Sequence, residues 1–95
     1  MGNSLMDIEW LQKRVTVAEA EAAHMVRIDD RLGPAPVAFG LRNNHWRHMI
    51  EQLREGDELW AYRSPPDTWA KRAGREGYCI VRDGQVIADI WTFMN

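Results

Sequence analysis

The chain holds a single cysteine, Cys79, among its 95 residues, so no internal disulfide and no multi-cysteine zinc site can form. It has no long apolar run, which argues against a membrane-spanning helix. Its first residues lack the basic and apolar regions of a secretory signal. Met1-Gly2 opens as a myristoylation signal does, but Met6 stands where that signal needs Ser or Thr. There is little excess charge: 12 basic against 14 acidic residues give −2, too little for a general attraction to nucleic acid or anionic lipid. Together these features suggest a cytoplasmic protein. Motifs for phosphate binding are missing as well. The glycines of Gly74-Arg75-Glu76-Gly77 come without the lysine and the following helix of a phosphate loop.

Tryptophan, by contrast, is abundant. Five indoles in so short a chain could supply much of a small core, each burying about 150–250 Å². If two or more stand exposed together, they mark a contact surface instead. Ten of the 12 basic residues are arginine, the side chain suited to bidentate pairing with carboxylates.

Local signals are clearest in the second half. Asp83-Gly84 joins two β-rich runs, and a type I′ turn needs positive φ at both such positions. A hairpin over 76–93 follows. Unbroken pairing out from the turn sets Val81 against Val86, Ile80 against Ile87 and Cys79 against Ala88. Cys79, Val81, Val86, Ala88 and Ile90 then share a small dry face, apt for packing under helices. Tyr78, Ile80, Ile87, Asp89 and Trp91 share the other, which is the face to offer a partner. Asp57–Arg63 reads as a strand with Trp60 and Tyr62 on one side and Leu59 and Ala61 on the other. Ser64–Ala73 reads as a short helix capped by Ser64, with Pro65 at its first position and Trp69 folded back as a lid on the sheet. The alternative for Ser64-Pro65-Pro66-Asp67 is an exposed polyproline-like binding loop.

Upstream, Thr16 and Glu19 form a capping box for a helix over 16–32, with Gly33 and Pro34 as its stop. His24 falls beside its apolar stripe, as a boundary or solvent-facing residue. A second helix over 44–55, capped by Asn43 or Asn44, buries Trp46, Met49, Ile50 and Leu53. Residues 7–12 read as an edge strand or extended arm. Residues 1–5 read as a disordered or vector-derived tail, and 6–95 as one domain. The fold class is α+β: a three- to four-stranded, mainly antiparallel sheet packed on two helices, plus one short Pro-capped helix.

No constellation for catalysis emerges, and no cofactor is implied. His45, His48 and Glu51 follow a three-residue spacing that drifts round the helix and differs from the HExxH of zinc hydrolases, so they read as a polar flank and no metal site is assigned. Acid–base chemistry needs a carboxylate or histidine in a cleft, and Glu58 and Asp89 on the sheet are the only candidates for it. Cys79 lacks a local base. Lys71, Arg72, Arg75 and Arg82 could gather near Trp69 and Tyr78 as a nucleic-acid patch, but nearby carboxylates offer salt bridges instead. The candidate binding residues are Trp60, Tyr62, Trp69, Arg72, Arg75, Tyr78, Asp89 and Trp91.

The stretches GDELWAYRSPPDTW and AGREGYCIVRDGQVIADIWTFMN resemble a group of small hypothetical bacterial proteins. The shared features are the Gly-Asp-Glu-Leu-Trp run, the Ser-Pro-Pro-x-x-Trp turn, the Ala-Gly-Arg element and a hairpin ending near Met-Asn, over about residues 30–95. The resemblance implies a bacterial, cytoplasmic, single-domain protein and carries no activity with it. The expected function is therefore a non-catalytic binding or regulatory domain, of accessory or immunity type, whose partner is another protein or a second copy. A small ligand-binding domain or enzyme with a pocket between the sheet and Trp69 is the first alternative. Nucleic-acid binding is the second.

Overall fold

The computed structural model describes residues 6–26 and 37–94. The tail expected over 1–5 lies outside them, as do residues 27–34, which hold the end of the first expected helix and its Gly-Pro stop. Four antiparallel strands form the main sheet: β1 (Leu11–Val15), β4 (Glu58–Arg63), β5 (Arg75–Arg82) and β6 (Gln85–Met94), in the order β1-β4-β5-β6. Two short strands, β2 (Met25–Val26) and β3 (Val37–Ala38), pair as a separate ribbon. Helices α1 (Val17–Ala23) and α2 (Asn43–Ile50) pack on one face of the sheet, and α3 (Pro66–Ala70) sits between β4 and β5. The expected α+β architecture is present.

The hairpin turns at Asp83 and Gly84, with φ of 52° and 78°, which satisfies the type I′ requirement. Its register is not the unbroken one. Val81 pairs with Val86, but Ile80 pairs with Ala88, so Ile87 is an extra residue in β6. This bulge reverses the alternation over the stretch that follows it, from Ala88 to Trp91. Ala88 and Ile90 therefore join Tyr78 and Ile80, and Asp89 joins Cys79. The expected faces are corrected accordingly: the helices cover Tyr78 and Ile80, while Cys79 and Val81 lie beneath the sheet on the opposite side. A second irregularity leaves Thr92 extra, between Gly77↔Trp91 and Glu76↔Phe93. A Cβ at Gly77 would overlap the Ile90 carbonyl oxygen, so only glycine lets the strands close here.

The helix-side core joins Ala20, Phe39, Trp46 and Met49 to Leu59, Tyr78, Ile80 and Ile90. Trp46 is fully buried, and its indole Nε1 donates to Glu21 Oε2 at 2.9 Å, so the one polar atom of the ring ties α2 to α1. Phe39 and Tyr78 lie against that ring at 4.2 and 5.9 Å between centroids. The opposite face buries Met6, Tyr62, Cys79, Val81 and Val86, with Trp10 and Leu11 packed over them. Both faces of a four-stranded sheet are thus covered.

Several boundaries differ from the sequence reading. The Thr16–Glu19 capping box forms, with both of its hydrogen bonds, but α1 stops at Ala23. His24 leaves helical geometry at φ −130°, stacks on Phe39 at 4.9 Å and meets the Tyr78 hydroxyl at 3.0 Å. Its carbonyl accepts from the Phe39 amide at 2.8 Å, which starts the β2–β3 ribbon. Helix α2 begins after a tight turn at Gly40–Arg42, without an asparagine side-chain cap, and ends at Ile50 rather than 55. Beyond it the Gln52 carbonyl accepts from Arg82 Nη2 at 3.0 Å, drawing the chain to the hairpin. Residues 8–10 form a tight turn capped by Asp7, and the edge strand starts only at Leu11. Ser64 is not the cap of α3. It is buried, its Oγ accepts from the Arg75 amide at 2.9 Å, and Pro66 takes the first helical position in place of Pro65.

One ion pair locks the turn before β4 to the hairpin. Asp57 accepts from Arg82 Nε at 2.9 Å and Nη2 at 2.7 Å, and from the Arg54 amide at 2.9 Å. These bonds from Arg82, helped by Arg54, outweigh desolvation and hold the Asp57 carboxyl down at about 2. A carboxyl so depressed contributes stability that is fully present above its unfolded pKa of about 3.9 and lost as the pH falls towards about 2. Melting followed by circular dichroism should show the melting temperature dropping across that acid window. Asp57→Asn should melt lower at neutral pH and lose less in the window. Trp46→Ala should cost about 3–5 kcal/mol in urea unfolding, much of the stability of a domain this size. A loss under about 1 kcal/mol would contradict the packing described.

Candidate functional site

The residues singled out in the sequence are distributed over three places. Tyr78 lies under the helices, 8% exposed, with its hydroxyl on His24. It is a core residue and not part of a partner-facing surface, which corrects the expectation. Burial pushes its hydroxyl pKa up, and burial pulls that of His24 down, so both favour their neutral forms.

Trp60, Tyr62 and Asp89 lie on the opposite face. Tyr62 is 2% exposed and donates to Asp89 Oδ2 at 3.2 Å. Burial first, then the Asp89 charge and that hydrogen bond, raise its pKa. Cys79 sits in the same layer with no exposure, and burial together with Asp89 pushes its thiol up to about 12. A protonated, enclosed thiol is no nucleophile. Asp89 is accordingly a partner of Tyr62 rather than a surface recognition group. Trp60 is half-buried, its Nε1 donating to Glu58 Oε1 at 2.8 Å, and borders an open groove.

The third place is the far end of β6, where exposed aromatics flank the strand edge, the extra Thr92 setting Trp91 and Phe93 on opposite faces of the strand. Trp91 is 41%, Phe93 55% and Met94 53% exposed. The guanidinium of Arg42 lies 3.8 Å over the Trp91 ring and also donates to the Trp91 carbonyl. Phe93 stacks on Trp69 at 5.7 Å and 12° between planes, and Arg63 lies 4.2 Å over the Trp69 ring. Trp69 is held from below: a Cβ at Gly74 would collide with its ring, and its Nε1 donates to the Ser64 carbonyl at 3.1 Å. Trp69 thus continues the aromatic surface at the end of β6 rather than closing over a sheet pocket. Among the described residues no strand pairs with the outer edge of β6.

Phe93, Arg42 and Arg63 were missed by the sequence reading. Phe93 follows a second bulge, and Arg42 comes from a turn 49 residues upstream of Trp91, so neither neighbour is visible in local spacing. The basic residues do not gather as one patch. Arg82 is bound to Asp57, Arg75 lies 5.2 Å over Trp10, and Arg72 is exposed at φ 59°. Among the described residues no group of three His, Cys, Asp or Glu could hold a metal ion, and no helix is long and apolar enough to cross a membrane.

No protein-family model, curated protein or solved structure matches this chain. The functional argument therefore rests on the surface itself.

A direct check concerns the thiol. At pH 8 a pKa of about 12 lowers the thiolate fraction about a thousandfold relative to a free cysteine near 8.5. Native protein should resist a thiol reagent for hours, and urea-unfolded protein should react within minutes. Equal rates would place Cys79 at the surface.

Proposed function

We propose that this domain is a non-catalytic protein-binding or regulatory module, of accessory or immunity type. In this reading the aromatic end of β6 is the contact surface for another protein. One observation carries it: three large apolar side chains of a single strand, Trp91, Phe93 and Met94, stand 41–55% exposed at an edge where no described strand pairs. Burial of apolar surface drives association, and aromatic and arginine side chains supply most contact hot spots. Here the rings are already ordered, by Arg42 on Trp91 and by Trp69 and Arg63 beside Phe93, so little freedom is lost on docking. An unpaired strand edge beside them can add main-chain hydrogen bonds. The aromatic-plus-arginine surface expected from the sequence is kept in this proposal, but it moves from the sheet face to the strand end.

The bacterial grouping and a cytoplasmic setting belong to the same proposal and rest on the resemblance of residues 30–95. Against an enzyme stand the neutral, buried state of Cys79 and Tyr62 and the engagement of Asp89 by Tyr62. Against a nucleic-acid site stands the pairing of Arg82 with Asp57 and of Arg63 with Glu76 at 2.9 Å.

Photocrosslinking in cells tests the proposal. A benzophenone side chain at position 91 or 93 should give one discrete product, with a partner chain or a second copy. The same probe at exposed Gln12 should not. Trp91→Ala with Phe93→Ala should abolish the product while leaving the circular dichroism spectrum unchanged. Equal products from all three positions, or none from 91 and 93, would contradict it.

A further inference from the structure

Away from the end of β6, the described residues cover the face opposite the helices less completely than the helix side. The arm at 6–11 seals Tyr62, Cys79 and Val86, but between the arm and the hairpin tip a groove of about 570 Å³ stays open. Its floor is Trp60 with Val81, and its apolar wall is Leu11 with Ile8, which is 46% exposed. Glu58 and Asp83 are its charged lining residues, both acidic. Strand geometry explains the grouping. Glu58 and Trp60 are two apart in β4 and so point the same way, and Glu58 is directly paired with Val81 of β5. Gly56 and Gly84 border the groove, and a Cβ at either would meet no atom within 4 Å, so the space over the rim is open.

We infer that this groove is a binding site for a small organic cation: a protonated amine attached to an apolar, preferably aromatic, body. The volume lies in the range of small-molecule sites. An indole face attracts cations through its quadrupole, and carboxylates that line a groove select positive charge and repel anions. The neighbouring cations are already committed. Arg82 is held by Asp57 at 2.7 Å, and exposed Arg14 reaches Glu58 only at 3.8 Å, a weak pair that a bound amine can replace. Glu58 keeps lone pairs free beyond the one that accepts from Trp60 Nε1. The site does not depend on the contact surface proposed at the end of β6, and either can fail without the other.

The test uses the full chain, labelled with ¹⁵N, and three matched probes at pH 7: benzylammonium, benzyl alcohol and benzoate. Benzylammonium should shift the Trp60 indole and the Val81 and Gly84 amides saturably, with a dissociation constant of about 1 mM, as suits an open site and a small ligand. Benzyl alcohol should bind at least about fivefold more weakly, and benzoate should leave these signals in place. Glu58→Gln and Asp83→Asn should each weaken benzylammonium about threefold to fivefold, and Arg14→Met should tighten it about twofold. Trp60→Leu should weaken the cation more than the alcohol. Equal binding of the alcohol and the amine would overturn the inference, as would non-saturating shifts or an unchanged affinity in the two carboxylate variants. The spectra of the variants also report whether each is folded, and the Arg14 variant predicts a gain, which misfolding cannot imitate.

Discussion

The structure depends on one constraint: the two central strands, β4 and β5, are apolar on both faces. Leu59 and Ala61 alternate with Trp60 and Tyr62, and Tyr78 and Ile80 with Cys79 and Val81. Such a sheet must be covered twice. On one side the cover is helical, with Trp46 and Met49 from α2 and Ala20 from α1. On the other, among the described residues, it is the short arm that carries Met6, Trp10 and Leu11. The two covers differ in thickness, and the difference shapes the surface. Helices close their side well enough to bury Trp46 entirely. The arm seals Tyr62 and Cys79 but leaves the groove at Trp60 and does not reach the end of β6.

Polar chemistry follows the same division. Groups trapped beneath a cover are satisfied in pairs: Tyr62 with Asp89, His24 with Tyr78, Trp46 with Glu21. Among the described residues no buried side-chain nitrogen or oxygen lacks a partner. Burial, more than pairing, favours the neutral forms of Tyr62, Tyr78 and His24, and it removes these groups from chemistry. What remains for recognition is at the edges, where rings and guanidinium groups stack in the open.

Much of the architecture was legible because its signals are local. The Asp83-Gly84 turn, the Thr16–Glu19 capping box, the Trp46–Met49–Ile50–Leu53 stripe and the alternation of β4 each lie within a few residues. What was not legible depends on distant partners. Nothing near Ile87 marks it as the extra residue, since a bulge forms when a strand must fit its neighbour and its cover together. That single insertion moved Ala88 and Ile90 from the face of Cys79 and Val81 to that of Tyr78 and Ile80. His24 ends α1 because Phe39 and Tyr78 accept its ring, a reward that no helix propensity contains. Ser64 looked like a helix cap, but the Arg75 amide claimed its hydroxyl from across the α3 turn. The eight residues chosen as binding candidates were chosen by type, and type does not distinguish Tyr78 in the core from Trp91 at the edge.

The most direct test of the two-sided sheet is the oxidation of its methionines by dilute peroxide, followed residue by residue by peptide mass spectrometry. Met6 beneath the sheet and Met49 beneath α2 are 7% and 2% exposed, whereas Met25 and Met94 are 48% and 53% exposed. The account predicts rapid sulfoxide formation at Met25 and Met94 and strong protection at both Met6 and Met49. Protection of Met49 alone, with Met6 oxidised as fast as Met94, would mean that the arm does not cover the second face.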